Sequence, residues 1–314
     1  MVTGRFRKLS LASCIGMLLV LLAGALVTKT GSGEGCGTDW PLCNGKFVPA
    51  YTLESMIEYS HRFVTGIEGL LVVAVFVWTF IYYRHNRGKF LEPLLYAGAA
   101  LFFTIVQALL GAAAVIWPTS PTVMAFHFGI SLLAVAATML HVVWTRREKH
   151  GELDRPERLP ASIFPRMLLL SIYTYVVVYL GAYIRHTESS GGCLDWPLCN
   201  GQVVPELWND AGLSASGIVF LHRAAALLLG LFILGMYIHI RRVTKGSSTV
   251  LSRAAAWSVI LLVAQILSGV WMTYNLLNED LFIFTSLVHN LIITGLFGLL
   301  LDILIRSWRF RERR

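Results

Sequence analysis

Charge is what this chain has least of. Of its 314 residues 14% are charged, while 56% are hydrophobic. A soluble domain carries about a quarter charged residues, so water is excluded as the main solvent here. Acidic residues are scarcer than basic ones, leaving a net charge of +8. That surplus reads as a topology signal and an attraction to anionic lipid, and needs no nucleic-acid partner. A cleaved leader is not expected either, because the first apolar run is long and no convincing small-residue cleavage pattern follows it. No stretch reads as a large soluble domain.

What is present is apolar sequence in bilayer-sized pieces, about 20 residues each. Such runs recur eight times, near 9–28, 61–83, 92–116, 122–144, 164–184, 218–240, 251–274 and 282–305. In lipid each must satisfy its own backbone hydrogen bonds, so all are expected to be helices of an all-α integral membrane protein. Basic residues crowd the segments 5–8, 84–89, 146–158, 241–253 and 306–314, whereas the opposite loops hold Lys29, Lys46 and Arg185. The bias places both termini in the cytoplasm and the loops near 29–60 and 185–217 outside. An outside compartment permits disulfides.

One heptapeptide orders the rest. Asp-Trp-Pro-Leu-Cys-Asn-Gly occurs at Asp39–Gly45 and again at Asp195–Gly201. Each copy follows a second cysteine, Cys36 or Cys193, and precedes a His-Arg pair, His61-Arg62 or His222-Arg223. Gly24-Ala25 matches Gly181-Ala182, Pro49 matches Pro205, Gln107 matches Gln265 and His127 matches His289. The charged segment Thr145–Pro160, with Pro156 and Pro160, reads as a linker between halves 1–150 and 151–314. Each half has an even number of spans, so both enter from the same side. The expectation is two tandem four-helix bundles, related by a pseudo-twofold axis along the membrane normal.

Four of the nine histidines stand apart. His61 and His222 open spans 2 and 6 at their outer ends, and His127 and His289 sit a little inside spans 4 and 8. The intervals agree, at 66 residues from His61 to His127 and 67 from His222 to His289. A lone intramembrane histidine more often bonds only a neighbouring helix. Four at duplicated positions favour an axial pair for an iron porphyrin in each half. Zinc fits less well, because no third and fourth ligand converge with either pair. Arg62 and Arg223 suit haem propionates or interfacial snorkelling equally. Gln107 and Gln265 are expected to bond another helix before a porphyrin.

The halves differ in one acid. Glu58 precedes His61 by three residues and shares its face if the helix extends that far outward. The matching stretch, Ile218–Leu221, has none. Near a porphyrin edge a carboxylate serves as a base or stabilises positive charge; the plainer alternative is a solvated acid at a loop end. Glu68, deeper on the same face, reads as a buried structural hydrogen bond. The cysteines split into Cys36 with Cys43 and Cys193 with Cys199, with Cys14 a small apolar side chain in the first span. Both pairs read foremost as loop staples closed by Asn-Gly turns; a redox role gains weight for Cys36 and Cys43.

Two four-helix halves, paired cysteine loops with Asp-Trp-Pro-Leu-Cys-Asn-Gly, and histidines on spans 2, 4, 6 and 8 resemble the haem A synthase family of the Gram-positive bacterial type. The resemblance covers essentially the whole chain. It implies oxidation of the C8 methyl group of haem O to the formyl group of haem A, through two hydroxylations and loss of water. It also implies that His61 and His127 hold haem O, that His222 and His289 ligate a haem b cofactor, that Glu58 is catalytic, and that Cys36–Cys43 is the outer-loop pair. Haem O synthase and terminal oxidase assembly factors are partners the resemblance implies. If both His61 and His127 bind iron, either one leaves during turnover or oxidation occurs at the porphyrin edge with water near Glu58. The rival readings are a bis-His dihaem electron carrier of the quinol-oxidising type, which gives Glu58 no reason, and a transporter, which predicts broken helices near the midplane.

Overall fold

The computed structural model describes residues 3–86, 91–117, 120–151, 159–210, 212–244 and 249–311. The chain divides into two compact units, Met1–Arg155 and Pro156–Arg314. The boundary falls inside the segment that the sequence marks as a linker. Helix nevertheless persists through Lys149, so only the later part of that segment connects the units.

The first unit contains α1 (Gly4–Lys29), α2 (Leu53–His85), α3 (Leu91–Ile116) and α4 (Pro121–Lys149). The second contains α5 (Ile163–His186), α6 (Ala215–Thr244), α7 (Thr249–Tyr274) and α8 (Glu279–Arg309). Among the described residues these 8 helices are long and apolar enough to cross a membrane, and the chain is a multi-pass membrane protein. Their outer faces carry exposed leucine and isoleucine, as on Leu11, Ile15 and Leu19 of α1 and Leu227 and Leu231 of α6. A helix apolar on every side is at home in lipid.

The helices begin earlier than their apolar runs. Thr52, Ser120, Ser214 and Asn278 each accept a backbone N–H of the first turn, from Ser55, Val123, Gly217 and Leu281. Such caps satisfy otherwise orphaned donors and each contributes about 1 kcal/mol. They start α2, α4, α6 and α8, the four helices that carry the paired histidines, all at the end nearest the cysteine loops. His61 and His222 therefore lie about two turns inside their helices, not at the openings. The apolar run misled because it marks lipid depth, whereas the cap marks where the backbone turns helical.

Within each unit the packing closes a ring. In the first, α1 and α3 each pack against both α2 and α4; in the second, α5 and α7 each pack against both α6 and α8. The histidine-bearing helices thus face each other diagonally across their bundle. The first core packs Met17, Leu21, Val72, Ala100, Ala134, Val135 and Ala137, where the alanines let helix backbones approach closely. Phe6 and Trp144, with Tyr82 and Tyr96, close the end remote from the loops. The second core buries Leu229, Ile233, Leu296 and Leu300.

One element has no counterpart in the sequence reading. A short antiparallel pair, β1 (Trp208–Asn209) with β2 (Gly212–Leu213), lies in the second cysteine loop. Of the basic residues behind the orientation argument, Arg87, Lys89, Arg155, Arg158, Lys245, Arg313 and Arg314 lie outside the described residues, as does Pro156 of the linker.

Candidate functional site

Each unit builds its site from a stapled loop and two histidine helices. In the first loop Cys36 and Cys43 are disulfide-bonded, and in the second Cys193 and Cys199 are. Each second cysteine opens a two-residue hairpin: Cys43 N–H donates to Lys46 O at 2.9 Å and Cys199 N–H to Gln202 O at 2.9 Å. The turn residues, Asn44-Gly45 and Asn200-Gly201, all have positive φ, between 50° and 77°. Asn-Gly tolerates that left-handed pair, which is why this dipeptide closes both loops. In the second loop the Asp195 carboxylate also accepts Asn200 N–H at 2.6 Å and Gly201 N–H at 2.8 Å. The Gly201 N–H foremost, with those of Asn200 and Asp195 and the nearby Arg223 charge, holds the Asp195 carboxyl below the ordinary carboxylate range. Cys14 is unpaired and half-buried on α1.

The arginines fasten the loops to the helices. Arg62 Nη1 donates to Asp39 O at 2.9 Å and to Leu42 O. Arg223 Nη1 donates to the equivalent carbonyls, Asp195 O at 2.8 Å and Leu198 O at 2.9 Å. Neither propionate pairing nor snorkelling accounts for these bonds. A guanidinium offers several divergent donors, and here some hold turns of main chain.

Glu58 separates the two units. It is 4% exposed and lies one helical turn before His61 within α2, so it is not a solvated loop-end acid. Its Oε2 accepts Cys36 N–H at 2.8 Å and its Oε1 takes Arg62 Nη2 at 2.5 Å. One carboxylate therefore ties the disulfide, the loop and the histidine helix together. At the matching place the second unit has Val219, packed on the Cys193–Cys199 disulfide beside Ile184. There Arg223 bonds Thr273 Oγ1 and Cys193 O instead.

The four histidines share an environment that the sequence reading half missed. Each ring lies against a glycine of the neighbouring helix. A Cβ would stand 3.1 Å from His61 Cε1 at Gly24, 3.0 Å from His222 Cε1 at Gly181, 3.3 Å from His289 Cε1 at Gly269 and 3.7 Å from His127 Cε1 at Gly111. Gly24 and Gly181 were visible in the aligned halves. Gly111 and Gly269 stand four residues after Gln107 and Gln265, and that Gln-x-x-x-Gly repeat was the signal available to find them. Gln107 Nε2 donates to His127 O, and Gln265 Nε2 donates to His289 Nε2 at 2.9 Å. Both glutamines bond another helix, as expected. Ser268 Oγ lies 2.8 Å from His289 Nδ1.

These residues suit haem. Nδ1 of His61 and Nδ1 of His222 are buried without a hydrogen-bond partner among the described residues, and a buried unpartnered imidazole nitrogen carries a desolvation cost that a metal bond relieves. Two imidazoles on diagonal helices, each ring packed against a glycine, are the donor set that an iron porphyrin takes in a four-helix bundle. Among the described residues no three His, Cys, Asp or Glu side chains converge on a point. A porphyrin supplies its own equatorial donors, so two histidines suffice. Glu68, 1% exposed, accepts Ser13 Oγ–H at 2.7 Å, so it is buried and hydrogen-bonded.

Comparison with known proteins agrees with this geometry. The model of a family described as cytochrome oxidase assembly protein matches residues 7–56 and 50–301. A protein of Bacillus licheniformis named haem A synthase is 41% identical over 98% of this chain and 97% of its own length. Proteins of the same name are similar at 39% identity in Symbiobacterium thermophilum, over 94% of this chain and 92% of theirs, and at 37% in an Exiguobacterium species, over 96% and 92%. Paired loops, diagonal histidines and near-complete coverage lead to one assignment: the chain belongs to the cytochrome oxidase assembly protein family, among the haem A synthases.

Proposed function

We propose that the protein is a haem A synthase, an oxidoreductase that converts the C8 methyl group of haem O to the formyl group of haem A. The observation that carries this reading is its likeness, over nearly the full length of both chains, to relatives of that name. A direct test is to co-express the protein with a haem O synthase in a host lacking haem A, and to analyse acid-extracted haem by chromatography and mass. Haem A or its hydroxymethyl precursor is the expected product. Haem B alone, with haem O present and the protein folded, would return the dihaem electron carrier.

Within this reading the N-terminal unit takes the substrate, with His61 and His127 on the haem O iron. The C-terminal unit holds a haem b cofactor through His222 and His289. Support comes from Glu58, which only the first unit possesses and which a pure electron carrier would not need. Bound haem b would supply one-electron redox capacity. Glu58 lies one helical turn before His61 and accepts Cys36 N–H at one carboxylate oxygen and Arg62 Nη2 at the other; a carboxylate so placed is a candidate base. The bonds of Arg62 and Arg223 to loop carbonyls compete with propionates, and propionate pairing would use their remaining donors. The disulfide Cys36–Cys43 staples the loop above Glu58.

The plasma membrane location, the cytoplasmic termini and the external cysteine loops belong to the same proposal, supported by the basic bias and the disulfides. The two halves are read as copies of one duplicated four-helix unit, supported by the repeated heptapeptide and the repeated histidine–glycine contacts. The long isoprenoid tail of haem O keeps substrate and product in the bilayer. Transfer from a haem O synthase and towards oxidase assembly factors is consistent with that.

A further inference from the structure

At five aligned places the core of the first unit carries polar residues where the second carries apolar ones. Aligned through the glycine and histidine pairs, Ser10, Ser13, Glu68, Thr79 and His141 correspond to Met167, Leu170, Leu229, Ile240 and Ile303. All ten are buried. Ionisable groups in a bilayer core, here Glu68 and His141, cost free energy and point to function by default. Helix adhesion does not explain them, because the second unit closes the same ring of helices with apolar side chains at the same places.

The polar groups form a string with defined proton positions. Thr79 Oγ1 donates to Val75 O at 2.6 Å, so its oxygen is left to accept from His141 Nε2–H at 3.0 Å. His141 Nδ1 is then the lone-pair nitrogen and accepts Ser10 Oγ–H at 2.7 Å. At the other end Ser13 Oγ–H donates to Glu68 Oε1 at 2.7 Å, while Glu68 Oε2 is buried without a partner among the described residues. Between the two serines lies a cavity of about 10 Å³ lined by Ser10, Ser13, Thr138 and His141 among apolar neighbours. That is room for about one water molecule, with enough polar partners to hold it. Phe6 and Trp144 cover His141 on the far side, with ring centroids 5.5 Å and 6.4 Å from its own. The string begins at Glu68, about 10 Å along α2 from His61, and ends at His141.

We propose that Glu68 is a proton acceptor that serves oxidation in the first unit, held for that role by the polar string of Ser13, Ser10 and His141 and by a water in the cavity between the two serines. This rests on the reading of that unit as the haem O site. Converting a methyl group and a water molecule into a formyl group releases as many protons as electrons. A bound haem would supply a one-electron acceptor for the electrons; the protons need bases inside a hydrocarbon environment, and Glu68 is one. The second unit, read as holding only a resident haem, oxidises no carbon and has no such string.

The test is reduced-minus-oxidised infrared difference spectroscopy on the full-length, haem-loaded protein, alongside product analysis. A carboxylic C=O band that shifts in heavy water and vanishes in Glu68→Gln is expected. A fivefold variant carrying the residues of the second unit (S10M, S13L, E68L, T79I, H141I) should retain both haems yet lose turnover by about a hundredfold, the lower reach of proton-transfer catalysis. A band that persists in Glu68→Gln, or no such band in a wild type that makes haem A, overturns the string. So does turnover of the fivefold variant within about twofold of wild type. If the fivefold variant fails to fold, Glu68→Gln alone decides through the band. A wild type that makes no haem A under these conditions defeats the functional reading instead, whatever the infrared result.

Discussion

Single side chains decide the difference between the two units. Glu58 is the plainest case, a buried carboxylate shared by Cys36 N–H and Arg62 where the other unit has Val219. Glu58→Gln keeps an acceptor for Cys36 N–H but removes the charge that pairs with Arg62. It should cut turnover by about 10²-fold or more while haem retention changes little; unaltered turnover in a product assay would reduce Glu58 to a loop fastener. Asp195 gives a pH-dependent counterpart in the second loop. Its carboxyl is held below the ordinary value of 3.8 by Gly201 N–H first. A lowered folded-state value means its contribution is present above that pH and is lost as pH falls below it. Protection of the Asn200 and Gly201 amides, taken relative to their intrinsic exchange rates, should therefore hold at neutral pH and fall in that acid window. Asp195→Asn should abolish the acid step. The paired histidines were legible in the sequence because duplication exposes them, whereas the burial of Glu58 was not, since it depends on where α2 begins.

At the scale of elements, helix starts and helix contacts set the histidine geometry. The apolar runs located every helix, but the caps at Thr52 and Ser214 lengthen α2 and α6 and draw His61 and His222 inward. Short polar capping turns carry no hydropathy signal, so that shift escaped the sequence. The glycine contacts escaped it in part for a similar reason: a neighbour on another helix is a matter of packing, not spacing. They make a sharp prediction. Gly24→Val on α1 should displace the His61 ring, because even a Cβ would stand 3.1 Å from it. Gly111→Ala should be tolerated, since its Cβ would meet His127 at an ordinary 3.7 Å. Optical spectra of the purified variants read this out: Gly24→Val should lose the haem of the first unit alone, and Gly111→Ala should keep both. Equal spectra for the two variants would show that the glycines do not shape the haem sites.

For the whole molecule, the membrane class and the eight apolar helices among the described residues were readable from hydropathy and charge. The short β1–β2 pair and the polar core of the first unit were not. The first involves too few residues to show a period, and the second joins serines, a threonine and a histidine scattered over three helices. The central claim is that the molecule divides its labour, with substrate haem in one unit and resident haem in the other. The measurement that bears on it most directly is the bound-haem content of two purified double variants, His61→Ala/His127→Ala and His222→Ala/His289→Ala, made in cells supplying haem O. The account predicts that the first retains haem B, lacks haem O and haem A, and forms no product, while the second loses its haem B. Haem B lost from the first variant and kept by the second would contradict it.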